Sequence, residues 1–148
     1  MIKTEEQPDQ LLESIEPVIN GMGFLLVDVS HARQHGTLQV QCIICKGEGE
    51  QGISLDDCTS VHRAILPRIE LIEDLKNVNL QVSSPGIGRK LKKSREFRIF
   101  KNRKIKLMLD NNWIDAVIGN TDDNGVYCMI DGNEKYVLFS DIVKAKLD

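Results

Sequence analysis

The chain has 148 residues, of which 41% are apolar and 28% charged, with a net charge of −3 and four cysteines; this is the composition of a globular protein of one ordinary domain or two small ones. No apolar run approaches the roughly 20 residues a bilayer-crossing helix needs. Cys42, Cys45, Cys58 and Cys128 lie in apolar segments, as small hydrophobes of a reducing compartment do, and no disulfide framework is expected. The opening Met1-Ile2-Lys3-Thr4-Glu5-Glu6 lacks the charged-then-apolar order of a secretory signal, so the expected location is cytoplasmic.

Leu11, Leu12, Ile15, Val18, Ile19 and Met22 recur at three- and four-residue spacings, which predicts a helix over residues 9–22, closed by Gly21 and Gly23. Pro17 inside this pattern should bend the helix or mark a late start, because its ring clashes with the preceding turn. Residues 24–30 and 37–46 read as two strands of a hairpin joined by a polar link containing Gly36. The next segment, residues 47–52, is too rich in glycine and acid to pack. Ser54 then opens a second helix: its hydroxyl can accept from the backbone of Asp57, and Asp56 and Asp57 place negative charge on the positive helix end. Leu55, Cys58, Val61, His62, Ile65, Leu66 and Ile69 continue at helical spacing, with Pro67 distorting the last turn. Val78, Leu80 and Val82 alternate with Asn79, Gln81 and Ser83, the period of a half-buried strand.

That strand runs into a built turn, Ser83-Ser84-Pro85-Gly86, in which proline ends the ladder and glycine permits angles that a Cβ forbids. Beyond it lies a basic island. Residues 89–106 hold ten basic side chains and the single acid Glu96, a local charge of +9, whereas residues 1–88 carry −7 and residues 107–148 carry −5. A basic island in an acidic chain is either a footprint for phosphate, the remainder repelling nucleic acid where contact is not wanted, or a solvated linker. Arg89, Lys90, Lys92, Lys93 and Arg95 are the expected phosphate- or RNA-binding residues. Arg89, Lys90, Lys92 and Lys93 lie in or just after a glycine-bearing turn with Leu91 as the only apolar neighbour, while Lys104 and Lys106 alternate along a strand with Ile105 and Leu107.

Within the island, residues 94–100 read as a short helix capped by Ser94, with Phe97 and Phe100 plugging the end of a core. Five short strand candidates follow, at residues 104–109, 113–120, 126–130, 135–139 and 143–147, separated by Asp, Asn and Gly turns. Five such strands in about 45 residues bury a core by curling into a small barrel. The expected fold is therefore α+β: an N-terminal α-β-β-α-β domain over residues 1–91, then a small five-stranded Sm/SH3-like β-barrel over residues 92–148.

No constellation of catalytic residues stands out. Ser83, Ser84, His62, Asp56 and Asp57 are the parts of a serine hydrolase without the G-x-S-x-G elbow that exposes the nucleophile. Gly86-Ile87-Gly88-Arg89-Lys90 lacks the G-x-x-x-x-G-K-[ST] pattern of a phosphate loop. Cys42-Ile43-Ile44-Cys45 has the spacing of half a zinc site, but strand alternation puts the two thiols on opposite faces and the later cysteines are single, so no metal is expected.

Four stretches together carry a family resemblance: G-I-S-L-D-D-C at residues 52–58, V-S-S-P-G-I at 82–87, Arg89 with Leu91, and the closing I-V-K-A-K-L at 142–147. The chain resembles the bacterial ribosome maturation factor P (RimP) family. The resemblance implies an N-terminal α/β domain and a C-terminal barrel of the Sm or SH3-like kind. It also implies binding to the free, immature small (30S) ribosomal subunit through its 16S rRNA and through the small-subunit ribosomal protein beside the decoding centre. It brings no cofactor and no catalysis, and a monomer is expected; a Sm-like RNA-binding regulator is the alternative. Gly88 and Lys90 stand where the family pattern has an acid and a proline. The first change removes a possible partner for Arg89, and together they raise the local positive charge.

Overall fold

The computed structural model of the chain describes residues 2, 10–47, 52–73, 77–86 and 88–148. The acidic glycine segment at residues 48–51 and Ile87 of the loop motif lie outside them. Two compact units divide the chain, one ending at Pro85 and one beginning at Gly86 and including Ile2.

The first unit runs α1 (Gln10–Gly21), β1 (Leu25–Gln34), β2 (Thr37–Cys45), α2 (Leu55–Glu73) and β3 (Val78–Ser83). The stripe expected on α1 is the buried one: Leu11, Ile15 and Ile19 pack into a core with Leu26, Val29, Leu38, Val40, Cys42 and Ile44 of the hairpin and with Val61, Ile65 and Ile69 of α2. The helix continues through Pro17, which is exposed. At α2 the capping box forms with aspartate in the acidic position. Ser54 Oγ accepts from the Asp57 N–H at 3.0 Å, and Asp57 Oδ2 accepts from the Ser54 N–H at 2.9 Å. The backbone bond from Ser54 is the main cause holding the Asp57 carboxyl below its ordinary pKa, assisted by the Ser54 hydroxyl and by the charge of Lys46.

The hairpin is longer than the apolar pattern indicates. Residues 30–34 pair with residues 37–41, and the link shrinks to His35-Gly36, both at positive φ, the mirror-image turn that matches strand twist. These added residues of β1 are exposed, so no apolar alternation marks them. α2 is the crossover that brings β3 parallel to β2, giving the order β1-β2-β3.

The second unit contains α3 (Ser94–Ile99), β4 (Lys104–Leu109), β5 (Asn112–Thr121), β6 (Gly125–Ile130), β7 (Asn133–Leu138), a 3-10 turn at Phe139–Asp141, and β8 (Ile142–Leu147). All five expected strands form, in one antiparallel sheet of order β7-β6-β5-β4-β8. The expectation of a closed barrel is corrected to this extent: among the described residues no ladder joins β7 to β8, and the two remain the ends of the sheet. One face is apolar and buried, with Ile105, Leu107, Ala116, Ile118, Val126, Cys128, Ile130, Val137, Ala145 and Leu147. Phe97 and Phe100 are buried as well, the Phe97 ring 5.4 Å from that of Phe139. Gly125 is required by close approach, since a Cβ there would lie 2.5 Å from the Val137 carbonyl oxygen.

The division of the chain lies six residues before the expected boundary at Leu91. The cause is backbone pairing: the Leu91 N–H donates to the Ala145 carbonyl and the Leu147 N–H to the Arg89 carbonyl, both at 2.9 Å, with Lys90 bridged to Lys146. Residues 89–91 are thus tied to β8 by an isolated antiparallel bridge at Lys90.

A candidate nucleic-acid interface on the sheet of the second unit

The site begins at the turn after β3. Ser84 and Gly86 are exposed, Ser83 and Pro85 half-buried, and the Arg89 N–H closes the turn onto the Gly86 carbonyl at 3.2 Å. Gly88 has φ +74°, a left-handed conformation in which the family's acidic residue would be strained. Arg89 finds its acid seven residues on: the guanidinium donates to Glu96 Oε1 from Nε at 2.9 Å and from Nη2 at 2.7 Å. Glu96 Oε2 accepts the backbone N–H groups of Lys92 at 2.8 Å and Lys93 at 3.1 Å.

This carboxylate is 1% exposed and satisfied by four donors. It also caps α3, correcting the expectation that the Ser94 hydroxyl does so. Lys93 is the extended residue before the helix, Ser94 is already helical, and the acid of the first turn reaches back.

The five expected site residues therefore separate. Arg89 faces Glu96, Arg95 is buried, and Lys93 is half-buried at the cap. Lys90 and Lys92 are exposed, and both line a cavity of about 270 Å³ with Ile2, Leu91, Val143, Lys144 and Ala145.

Strand register adds cations that the linear sequence keeps apart. Directly opposed residues share a face, so Lys90, Lys146, Lys106 and Asp115 form one row across the outer face. Lys144, Met108 and Trp113 form the next row, and Lys104 and Val117 flank the first on its other side. Lys106 is bonded to Asp115 at 2.8 Å, which raises its pKa and reduces the charge it offers a ligand. Lys146 places its ammonium 4.8 Å from the centroid of the Trp113 ring. Lys144 and Lys146 come from the closing I-V-K-A-K-L segment, and only the β8 pairing reveals that they stand beside Lys90. The far side of the same face carries Tyr127 and Tyr136, their rings tilted at 53° with centroids 4.8 Å apart, with the Tyr136 hydroxyl donating to Asp122 Oδ1 at 2.7 Å. That bond pushes the tyrosine up to about 12 and holds Asp122 down, helped by the Asn124 and Gly125 N–H groups.

The hydrolase parts His62, Ser83, Ser84, Asp56 and Asp57 belong to the first unit. His62 directs Nε2 to the Leu80 carbonyl at 3.1 Å. Cys42 is a free thiol pushed up to about 12, first by burial and then by the charge of Asp28, and no three metal-ligating side chains gather among the described residues. No helix among those residues is long and apolar enough to cross a membrane.

Residues 14–88 match the RimP N-terminal domain. Proteins named ribosome maturation factor RimP are similar over most of the chain. That of Borrelia hermsii is 37% identical over 134 residues, 90% of each chain, and that of Borrelia turicatae 35% over the same length and shares. That of Borrelia recurrentis is 31% identical over 148 residues, 99% of each chain. The chain belongs to the RimP family.

Proposed function

We propose that this protein is a cytoplasmic, non-enzymatic maturation factor of the small (30S) ribosomal subunit. It binds the immature free subunit as a monomer, through phosphates of 16S rRNA and through one basic small-subunit ribosomal protein near the decoding centre. Membership of the RimP family over nearly the whole chain is the observation that carries this reading, because its relatives bear the name ribosome maturation factor. In this reading the second unit works as a Sm/SH3-like module, with the row through Lys90 and Lys146 and the neighbouring Lys92 and Lys144 as its phosphate-binding side. Of the other three cations expected at the site, Arg89 is bonded to Glu96, Lys93 stands at the cap of α3 and Arg95 is buried. The net charge of −5 over residues 107–148 suits contact with a basic protein.

The test is sedimentation of the purified protein with small subunits from cells, with large subunits and with joined ribosomes. Co-migration with free small subunits alone is the expected result. Absence from that fraction, or turnover of a simple ester abolished by Ser84→Ala, would overturn the reading.

A further inference from the structure

We propose that Trp113 is a stacking platform for one unpaired base of single-stranded RNA, with Lys144 and Lys146 taking the flanking phosphates. The inference rests on the RNA-binding reading above and narrows it from phosphate contact to a base-stacking site. Trp113 is the only tryptophan of the chain and is 41% exposed, on the outer face of β5. A large indole left this open on a face rich in lysine is not there for the core, whose aromatic positions are filled by Phe97, Phe100 and Phe139. Met108 separates it from Lys144 across the sheet, and Lys146 holds its ammonium over one side of the ring. Strands stand about 4.8 Å apart, so Lys144, two strands from Trp113, lies within reach of the phosphates next to a stacked base. A planar ring among phosphate-binding cations is the arrangement that holds single strands without sequence preference, whereas a duplex keeps its bases stacked inward and offers the ring nothing. Among the charges of these two rows, Asp115 is the only acid, and Lys106 already engages it.

Because the indole is unique, its fluorescence reports this site alone. The full chain is titrated with a short oligouridylate and with duplex RNA of equal length. Expected are saturable quenching by the single strand and none by the duplex. Trp113→Ala should weaken oligouridylate binding, followed by a label on the RNA, about five- to a hundredfold. Its log-affinity against log-salt slope should stay unchanged, because every phosphate-binding cation remains in place. Trp113→Phe should recover part of the affinity, and Lys146→Gln should flatten the slope while quenching persists. Binding without quenching, equal quenching by duplex, or full affinity in Trp113→Ala would overturn the stacking site. A protein that binds neither RNA yet still sediments with small subunits would also overturn it and leave the maturation-factor reading standing. Quenching by the single strand without such sedimentation would support the stack and sink that reading instead.

Discussion

The two sheets of this protein follow the same alternation, one face packed and one face outward, yet their outer faces differ in kind. On the first, Ser30, Gln41 and Gln81 stand in one row and Ala32, Gln39 and Asn79 in the next, a neutral surface rich in amides. On the second, Lys90, Lys146 and Lys106 stand in one row, with Lys144 and Trp113 in the next. Burial dictates which residues point outward, but it is indifferent to which polar group is used there. The concentration of lysine in the rows of one sheet and its absence from those of the other is thus a property of the surface, and under the proposed function the electrostatic contact falls on the second unit.

The largest way to break the comparison is through the ion pair beneath the lysine face. Glu96→Ala leaves the Arg89 guanidinium without its main counterion and the Lys92 and Lys93 N–H groups without their acceptor. Loss of about 3 kcal/mol from the second unit is expected in urea unfolding, while Gln41→Ala on the neutral face should stay within about 0.5 kcal/mol. Gly125→Ala should cost the second unit about 1–3 kcal/mol in thermal unfolding, since the added methyl meets the Val137 carbonyl and the Tyr136 ring.

A smaller effect separates the units by pH. Asp57 in the first and Asp122 in the second both titrate below their ordinary value of 3.8 when folded, the former chiefly through the Ser54 backbone N–H and the latter through the Tyr136 hydroxyl. Each therefore contributes stability that is full above that value and lost as pH falls through the folded one. Asp57→Asn should remove the α2 part of the acid loss of helical circular dichroism and leave the rest. On the alkaline side Tyr136, raised from 10.0 to about 12, stabilises the second unit up to pH 10 and ceases to do so as pH rises through 12. Tyr136→Phe should abolish that alkaline step.

The elements were legible wherever one face is buried. The α1 stripe, the Ser54 cap and the strand at 104–109 follow from residue period and local chemistry alone. The polar extension of β1 was not legible, because its residues are exposed and no apolar alternation marks them. Apolar-poor surroundings picked Arg89, Lys90, Lys92 and Lys93 from the island alike and did not separate the two exposed lysines from the others. Arg89 and Arg95 could not be set aside on local charge, since what occupies them is packing and one acid seven residues beyond Arg89. That acid, the island's single carboxylate, was the available signal for a structural partner. Lys144 and Lys146 lie more than 50 residues from Lys90 and become its neighbours only through strand register, which no local pattern encodes.

The central claim is that the lysine face, not the amide face, meets ribosomal RNA, and its most direct test is the salt dependence of small-subunit binding for two charge-matched pairs. Lys90→Gln with Lys144→Gln removes two positive charges from one sheet, and Gln41→Glu with Gln81→Glu adds two negative charges to the other. The account predicts that the first pair weakens binding about tenfold or more and reduces the log–log slope by about 1.4, using roughly 0.7 for each phosphate no longer neutralised. The second pair should leave the slope unchanged. An unaltered slope in the lysine pair, or an equal change in both, would contradict it.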